Sequence, residues 1–584
     1  MDLDCAAVLR RVTTPFPDAR LGSRCDRLLA GAHARGTIRP HAAAADPAGA
    51  KAAYRFYHNP RVTPEHILSP ARAACLAAGL EVCARVAVRA CAAALPRPPA
   101  LLVASDTTAL DFGHLAGGLR VTDAGIGPIG SHTAKHPRPG FFAHATVCLG
   151  PGGATARAPW PARGDRPAGE APAGGEHGVV GEHGVVGEHG VVGEHGVIGE
   201  HGVIGEHGVV GEHGVVGVLG AEFFARGFGA PDKHARDYKR LPAAETERAY
   251  WTRGRDRIAE ALRPYLEAGG LAAARVLHVC DREADAYLSL RDGLARGIGL
   301  LYRSGHDRRA RLVEGPLATG RLAGPTRRLS DLVAACAPAE VSVAVGRDGR
   351  GRPRRVVPCE LRCLACALAP TRRARQEARA GRLPPGPGEV RLTVIDVREV
   401  RQGGGGGEAL VHWRLLCSEP VSDLAHACEL VGYYAERWRV ERYFAQVKSR
   451  GMDLESCQVR SGAALHKITA MAMAAAVQVE RLVGARDGSD LAPAAEVLGY
   501  DDGAALVAAS RAASRAGTAV TNPHPPGTVA YLSWVCARLG GWGGYASSGQ
   551  PGSRTMARGL ERFAVFRAGF REAIDYLGKV VGND

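Results

Sequence analysis

The segment YYAERWRVERYFAQVKSR, residues 433–450, sets Tyr434, Arg437, Glu441 and Lys448 at offsets of 0, 3, 7 and 14. At roughly 100° per residue these fall within an arc of about 60°, so one helix would present all four from a single stripe, with Trp438 at its edge. No apolar stripe is evident on that helix to hide them. Two readings stand for these residues alone: a solvated face on which Arg437 and Glu441 form an i,i+4 ion pair, or a functional surface. Two more acids bear on the choice. Asp106 follows the apolar run of ALLVASDTTALDF, and Asp281 follows that of ARVLHVCDREADAYLSL. Burying an unpaired carboxylate is costly, so acids closing two core strands need a partner, and a shared divalent metal is one. Asp106, Asp281 and Glu441, with no nucleophilic Ser or Cys beside them, suit two-metal phosphoryl transfer. In that chemistry Mg²⁺ ions about 4 Å apart activate the attacking oxygen and stabilise the leaving one.

The elements that must position these acids read as a twisted sheet flanked by helices. Apolar strands carry Asp106 and Asp281, FFAHATVCL and VGVLGAEFFAR supply two more, and a helix begins directly after Asp281. From 305 to 420 the pattern is short strands and turns, with a basic tip GRDGRGRPRR and a Gly run at 403–407. Helix returns from 421 to about 485, and a last helical segment includes YLSWVCARLGG. Residues 1–95 read as helical, with Arg20, Arg24, Arg27, Lys51, Arg55 and Arg61 interleaved with Tyr54, Phe56 and Tyr57. Basic and aromatic residues on short helices suit phosphate contact and base-edge reading, while a small helical domain with basic outer faces is the plainer alternative.

Composition narrows the partner. The chain has 584 residues, is 46% apolar and carries a net charge of +15. Without the seven glutamates of the repeat described next, the charge would be +22. Dense negative charge is the natural complement, nucleic acid first and anionic membrane second. Only seven of the cations are Lys, so with Ala, Gly and Pro abundance the Arg excess reflects a GC-rich coding bias, and placement outweighs number. The start MDLDCAAVLRRVTTPF lacks a signal peptide's apolar run, and ITAMAMAAAVQV is too short and Ala-rich to span a bilayer. A cytoplasmic chain with reduced cysteines is expected. Cys359, Cys363 and Cys366 offer three thiols without a fourth ligand, so alternating strand residues are the plainer reading than a metal site.

GEHGVV repeats seven times without a gap from Gly175 to Val216, twice as GEHGVI. Near-identity of the copies points to recent expansion of a short DNA repeat. A flexible loop grown at a hairpin tip is expected, since each doubling of loop length costs only about 0.6 kcal/mol. A His array for metal, or a small β-solenoid, are the functional alternatives.

Taken together these motifs resemble a DDE transposase of the insertion-sequence-four family, the bacterial cut-and-paste group that includes the transposon-five transposase. Tyr434, Arg437, Glu441 and Lys448 match the family's Y-x2-R-x3-E-x6-K signature. SDTTALDF and CDREADAY match its two Asp motifs; LYRSGHDRR, LLCSEPV and ARLGG follow in the family's order, and AAYRFYHNP is similar to its end-reading segment. The likeness runs from about 20 to 570, apart from 150–216.

The resemblance implies an α/β chain with an RNase H-like core at 96–304 and 421–485, interrupted by a β-rich insertion at 305–420. A helical DNA-end recognition region at 1–95 and a helical dimerisation region at 486–584 would flank it. It implies that Asp106, Asp281 and Glu441 bind two Mg²⁺, with Mn²⁺ able to substitute. Tyr434, Arg437 and Lys448 would hold end phosphates, Trp413 would stack a flipped base, and Arg303, Trp438, Lys51, Tyr54 and Arg55 would also meet DNA. The partners implied are transposon ends, target DNA and a second copy in the end-bound complex, with no membrane, in a bacterial nucleoid-associated setting. Cleavage would pass through a hairpin before the 3′-OH joins target DNA. An RNase H-like nuclease without strand transfer, a catalytically inactive relic or inhibitor, and a His-repeat metal store are the competing readings. The family joins its second and third strands by a short turn, so the stretch at 150–216 is a departure.

Overall fold

The computed structural model describes residues 15–73, 75, 97, 100–115, 125–129, 138–152, 203–204, 215–226, 246–267, 275–345, 355–381, 389–400, 411–488, 490–498, 500–515, 521–544 and 550–581. Most of the GEHGVV run, most of the basic tip and the Gly run at 403–407 lie outside them.

Among the described residues thirteen strands join one mixed sheet. They are β1 (Ala100–Asp111), β2 (Gly127–Ile129), β3 (Arg138–Gly152), β4 (Val203–Ile204), β5 (Gly217–Phe224), β6 (Arg275–Cys280), β7 (Gly299–Arg303), β8 (Arg309–Glu314), β9 (Arg321–Arg328), β10 (Ala339–Val345), β11 (Arg355–Leu368), β12 (Val390–Glu399) and β13 (His412–Cys417). β5 and β2 flank the outer side of β3, and the order then runs β3-β1-β6-β7-β13-β12-β11-β10-β4, with β8 on β11 and β9 on β8. β1 is antiparallel to β3 and parallel to β6, and β6 is parallel to β7. This mixed pattern with helices on both faces is consistent with an RNase H-like transposase domain. The strands of 305–420 continue the same sheet, because β13 pairs antiparallel with β7.

Near-continuous apolar runs in β1 and β6 fit strands covered on both faces. Leu101 and Val103 pack with Ile258, Ala261 and Leu262 of helix α1 (Arg248–Glu267) on one face. Ala100, Leu102 and Ala104 face the other way, into the larger core that includes α2 (Leu424–Glu436), α3 (Trp438–Ala445) and α4 (Gly462–Gly484). α4 holds the ITAMAMAAAVQV stretch and is buried almost all round, a central core helix. No helix among the described residues is long and apolar enough to cross a membrane.

β3 and β5 form the hairpin from which 150–216 emerges, closed by the pairing of Cys148 with Gly217. Within that stretch Val203 and Ile204 pair with Ser342 and Val343 of β10. Cys359, Cys363 and Cys366 all lie on β11, but 366 is an odd number of residues from the other two. Cys359 and Cys363 border one core cluster and Cys366 another, so the sheet itself separates the three thiols.

Candidate active site

Strand register decides where the first two acids stand. β1 and β6 pair in parallel through Ala104 opposite Val279. Two residues further along each strand, on the same face by the period-2 rule, come Asp106 and Asp281. β7 continues the row: Cys280 is opposite Tyr302, which brings Arg303 alongside Asp281. Leu415 of β13 is opposite Arg303, and Trp413 lies two residues from Leu415 on the same face. Asp106, midway along β1, and Asp281, Arg303 and Trp413, each at, near or just past an end of its strand, thus stand in a row across four adjacent strands. Past Asp281 the chain turns at once into a short 3-10 turn, whose Glu283 N–H donates to Asp281 Oδ1 at 2.9 Å.

Glu441 reaches this row from α3. Arg437 links the two: its Nη1 donates to Asp106 Oδ2 at 2.9 Å and its Nη2 to Glu441 Oε1 at 2.8 Å. Burial pushes the Asp106 carboxyl up to about 7; Arg437 opposes the rise, Asp281 adds to it, the Thr107 N–H opposes it and Glu441 adds again. Among the described residues no three His, Cys, Asp or Glu side chains stand close enough together to hold a metal ion in this arrangement, in which the Arg437 guanidinium stands between Asp106 and Glu441. The donor set nevertheless fits a hard divalent cation. Three carboxylates supply only oxygen, the ligand type such a cation takes.

The helix that carries Glu441 differs from the expected single regular one. α2 ends at Glu436, Arg437 forms a turn, α3 follows, and Gln446–Arg450 winds as a π-helix. At the break the Arg437 N–H bonds to the Tyr434 carbonyl, a tightened three-residue step. An apolar stripe is also present, contrary to expectation: Val440, Tyr443, Phe444 and Val447 are buried. Alternation with Arg and Glu hid it, because the aromatics there are read as readily on a functional face as in a core.

Tyr434 is itself buried, its ring edge-on to Trp413 at 5.3 Å between centroids. Its hydroxyl faces the guanidiniums of Arg303 and Arg437. Lys448 is set apart from this group. Its ammonium lies near Glu455 and Asp111, and burial lowers its pKa. Asp111 is five residues beyond Asp106, about 16 Å along β1. Trp438 is 37% exposed beside the break. Lys51, Tyr54 and Arg55 sit on a separate N-terminal helix, Pro47–His58, with Lys51 and Arg55 exposed and Tyr54 edge-on to His41. Phe56 and Tyr57, interleaved with those basic residues in the sequence, are buried core residues.

Sequence reasoning passed over Asp285. Its carboxylate is fully buried and accepts from the Gly305 N–H at 2.8 Å and from Arg308 at 2.6 and 3.1 Å. It thereby fixes the loop that follows Arg303. The signal was present, since CDREADAY places a second Asp four residues after the first. His144, in the FFAHATVCL stretch, is buried on β3, hydrogen-bonded through Nδ1 with Thr107 Oγ1 at 2.8 Å. Burial, with help from Arg257 and Arg253, holds its pKa down to about 3 and the ring neutral.

Two acids on neighbouring strands and a helical Glu thus stand on one face of the sheet. Residues 345–477 match the family model described as a transposase DDE domain. The match includes Trp413, Tyr434, Arg437, Glu441 and Lys448, leaves Asp106 and Asp281 outside it, and supports a DDE transposase.

Proposed function

We propose that this protein is a cut-and-paste DNA transposase of the insertion-sequence-four type. It binds the ends of its element, cuts them through a hairpin intermediate and joins the 3′-OH ends to target DNA. The observation that carries this reading is the register bringing Asp106 and Asp281 side by side on adjacent strands, with Glu441 tied to Asp106 through Arg437.

Asp106, Asp281 and Glu441 would hold two Mg²⁺ or Mn²⁺ ions. Bound there, the ions would supply Lewis-acid stabilisation of the charge that develops on phosphorus-bound oxygens. The protein's side chains would do the rest. Arg437, Tyr434, Arg303 and Lys448 would grip end phosphates, and the partly buried Trp413 would stack a base turned out of the duplex. Flipping costs a few kcal/mol, of which one aromatic platform returns about 1–3 kcal/mol. The reaction order would be hydrolysis of one strand, 3′-OH attack on the other to close the hairpin, hydrolysis of the hairpin and attack on target. Lys51, Tyr54 and Arg55 would read the end sequence. The C-terminal helix Ser553–Val581 exposes Val565, Ile574, Tyr576 and Leu577, a face suited to pairing with a second copy around two ends.

The test uses the purified full chain, Mg²⁺ and a plasmid bearing the two DNA ends that flank its own gene. Wild type should release the fragment through a hairpin and join it to target, while Asp106→Ala, Asp281→Ala and Glu441→Ala bind ends without cutting. Cleavage with no joined product would favour a nuclease, and end binding without any cleavage would favour a relic or inhibitor.

A further inference from the structure

On the face of the sheet opposite the acids lies a buried polar layer, flanked by the fully buried Arg255. His278 is its centre. Its Nε2 is hydrogen-bonded to Ser105 Oγ at 2.8 Å and lies 3.2 Å from Cys280 Sγ, and its Nδ1 is hydrogen-bonded to Tyr302 Oη at 2.8 Å. All four side chains are fully buried. Each partner is the immediate chain neighbour of a site residue: Ser105 precedes Asp106 on β1, Cys280 precedes Asp281 on β6, and Tyr302 precedes Arg303 on β7. Because successive side chains point to opposite faces, one imidazole holds three strands from behind at the step where each turns a functional side chain forward.

The layer is sealed by close helix packing. A Cβ at Gly254 of α1 would come within 2.9 Å of Thr146 Oγ1, 3.1 Å of Ser105 Oγ and 3.2 Å of His144 Nε2. Ser105 is in turn 3.1 Å from Thr146 Oγ1. Apolar side chains could fill the same space, but they would not fix the strand ends against sliding. Directional bonds do, since a buried donor or acceptor pulled from its partner is left unsatisfied.

We propose that His278 is a positioning residue for the acidic site, setting the separation of Asp106 from Asp281, and of both from Arg303, through Ser105, Cys280 and Tyr302. The inference rests on the proposed function, in which those carboxylates hold divalent ions. Groups that orient ligands without touching the ion commonly alter affinity by about 10–100-fold when removed.

The experiment follows Mn²⁺ binding to the full chain without DNA, by electron paramagnetic resonance titration, alongside thermal melting and metal-free binding to end DNA. His278→Leu should weaken Mn²⁺ binding by about tenfold or more, with end-DNA binding kept. Ser105→Ala and Tyr302→Phe, which each cut one link, should weaken it less, and His278→Gln should recover part of the loss. Wild-type Mn²⁺ affinity in a folded His278→Leu chain would overturn the proposal. Should that variant fail to fold, wild-type affinity in both Ser105→Ala and Tyr302→Phe would overturn it equally. Asp106→Asn is the control that separates the two levels. If it binds Mn²⁺ as wild type does, the carboxylates are no metal site, and the proposed function fails and takes this inference with it.

Discussion

Arg437 and Asp106 lie 331 positions apart in the chain and meet at 2.9 Å, the guanidinium 12% and the carboxylate 14% exposed. With Glu441 on its other arm, Arg437 is the cation that compensates the acids in this conformation. Arg437→Ala should therefore lower stability by about 1–3 kcal/mol, measured by denaturant unfolding without metal. In the proposed reading it should also weaken end binding and flatten its log–log salt dependence by about 0.9, one phosphate's share. An unchanged salt slope would remove Arg437 from the phosphate clamp.

The Asp106 carboxyl makes a pH-dependent contribution whose sign is fixed. Its folded pKa of about 7 lies above the ordinary 3.8, so the folded chain binds the extra proton between those values. The stability it adds is complete below pH 4 and is lost as pH rises through 7. Asp106→Asn lacks that loss. The melting temperature of the variant minus that of wild type, without metal, should climb between pH 4 and 7 and level off above. Mg²⁺ added at pH 8 should raise the wild-type value and leave the variant unmoved; a difference flat with pH would refute the assignment.

Trp413 meets Tyr434 edge-on and keeps part of its surface open. If it is the base platform, Trp413→Ala should slow hairpin closure by about tenfold or more while first-strand nicking continues nearly unchanged. Quenched-flow assays on end DNA separate the two steps, and equal slowing of both would deny Trp413 that role.

Asp281 and Asp285 share one motif and should behave oppositely. Asp285 is a buried partner of Arg308, so Asp285→Ala should cost about 3–5 kcal/mol of stability by leaving a buried cation unpaired. Asp281→Ala, at a partly exposed strand end, should leave stability nearly unchanged and abolish cleavage. Urea unfolding of both variants checks the contrast.

Asp106 and Asp281 were legible because each follows an apolar run, a placement that burial makes expensive without a partner, and Glu441 through its spacing from Tyr434, Arg437 and Lys448. A sheet with flanking helices was also legible, since the runs around Asp106 and Asp281 read as strands and 421–485 as helix, whereas its mixed parallel and antiparallel pairing was not. What escaped notice depended on distant pairings. Nothing local to Arg437 announces the break after Glu436, which rests on a three-residue hydrogen bond and on contacts to Asp106 and Glu441. Phe56 and Tyr57 look like their exposed neighbours until the helices that bury them are known. The polar layer around His278 was visible only as polar letters inside apolar strands, and its purpose needs three strands in register.

The sheet that carries the acids also carries Trp413, with no hinge between. From β1 to β13 are three interstrand steps of about 4.8 Å each, and Trp413 stands two residues, about 7 Å, along β13 from Leu415, so the sheet anchors Asp106 and Trp413 about 16 Å apart. Such a ruler is graduated in whole strands. Side-chain substitution can blunt either end of it, but only an inserted or deleted strand could recalibrate which nucleotide it selects.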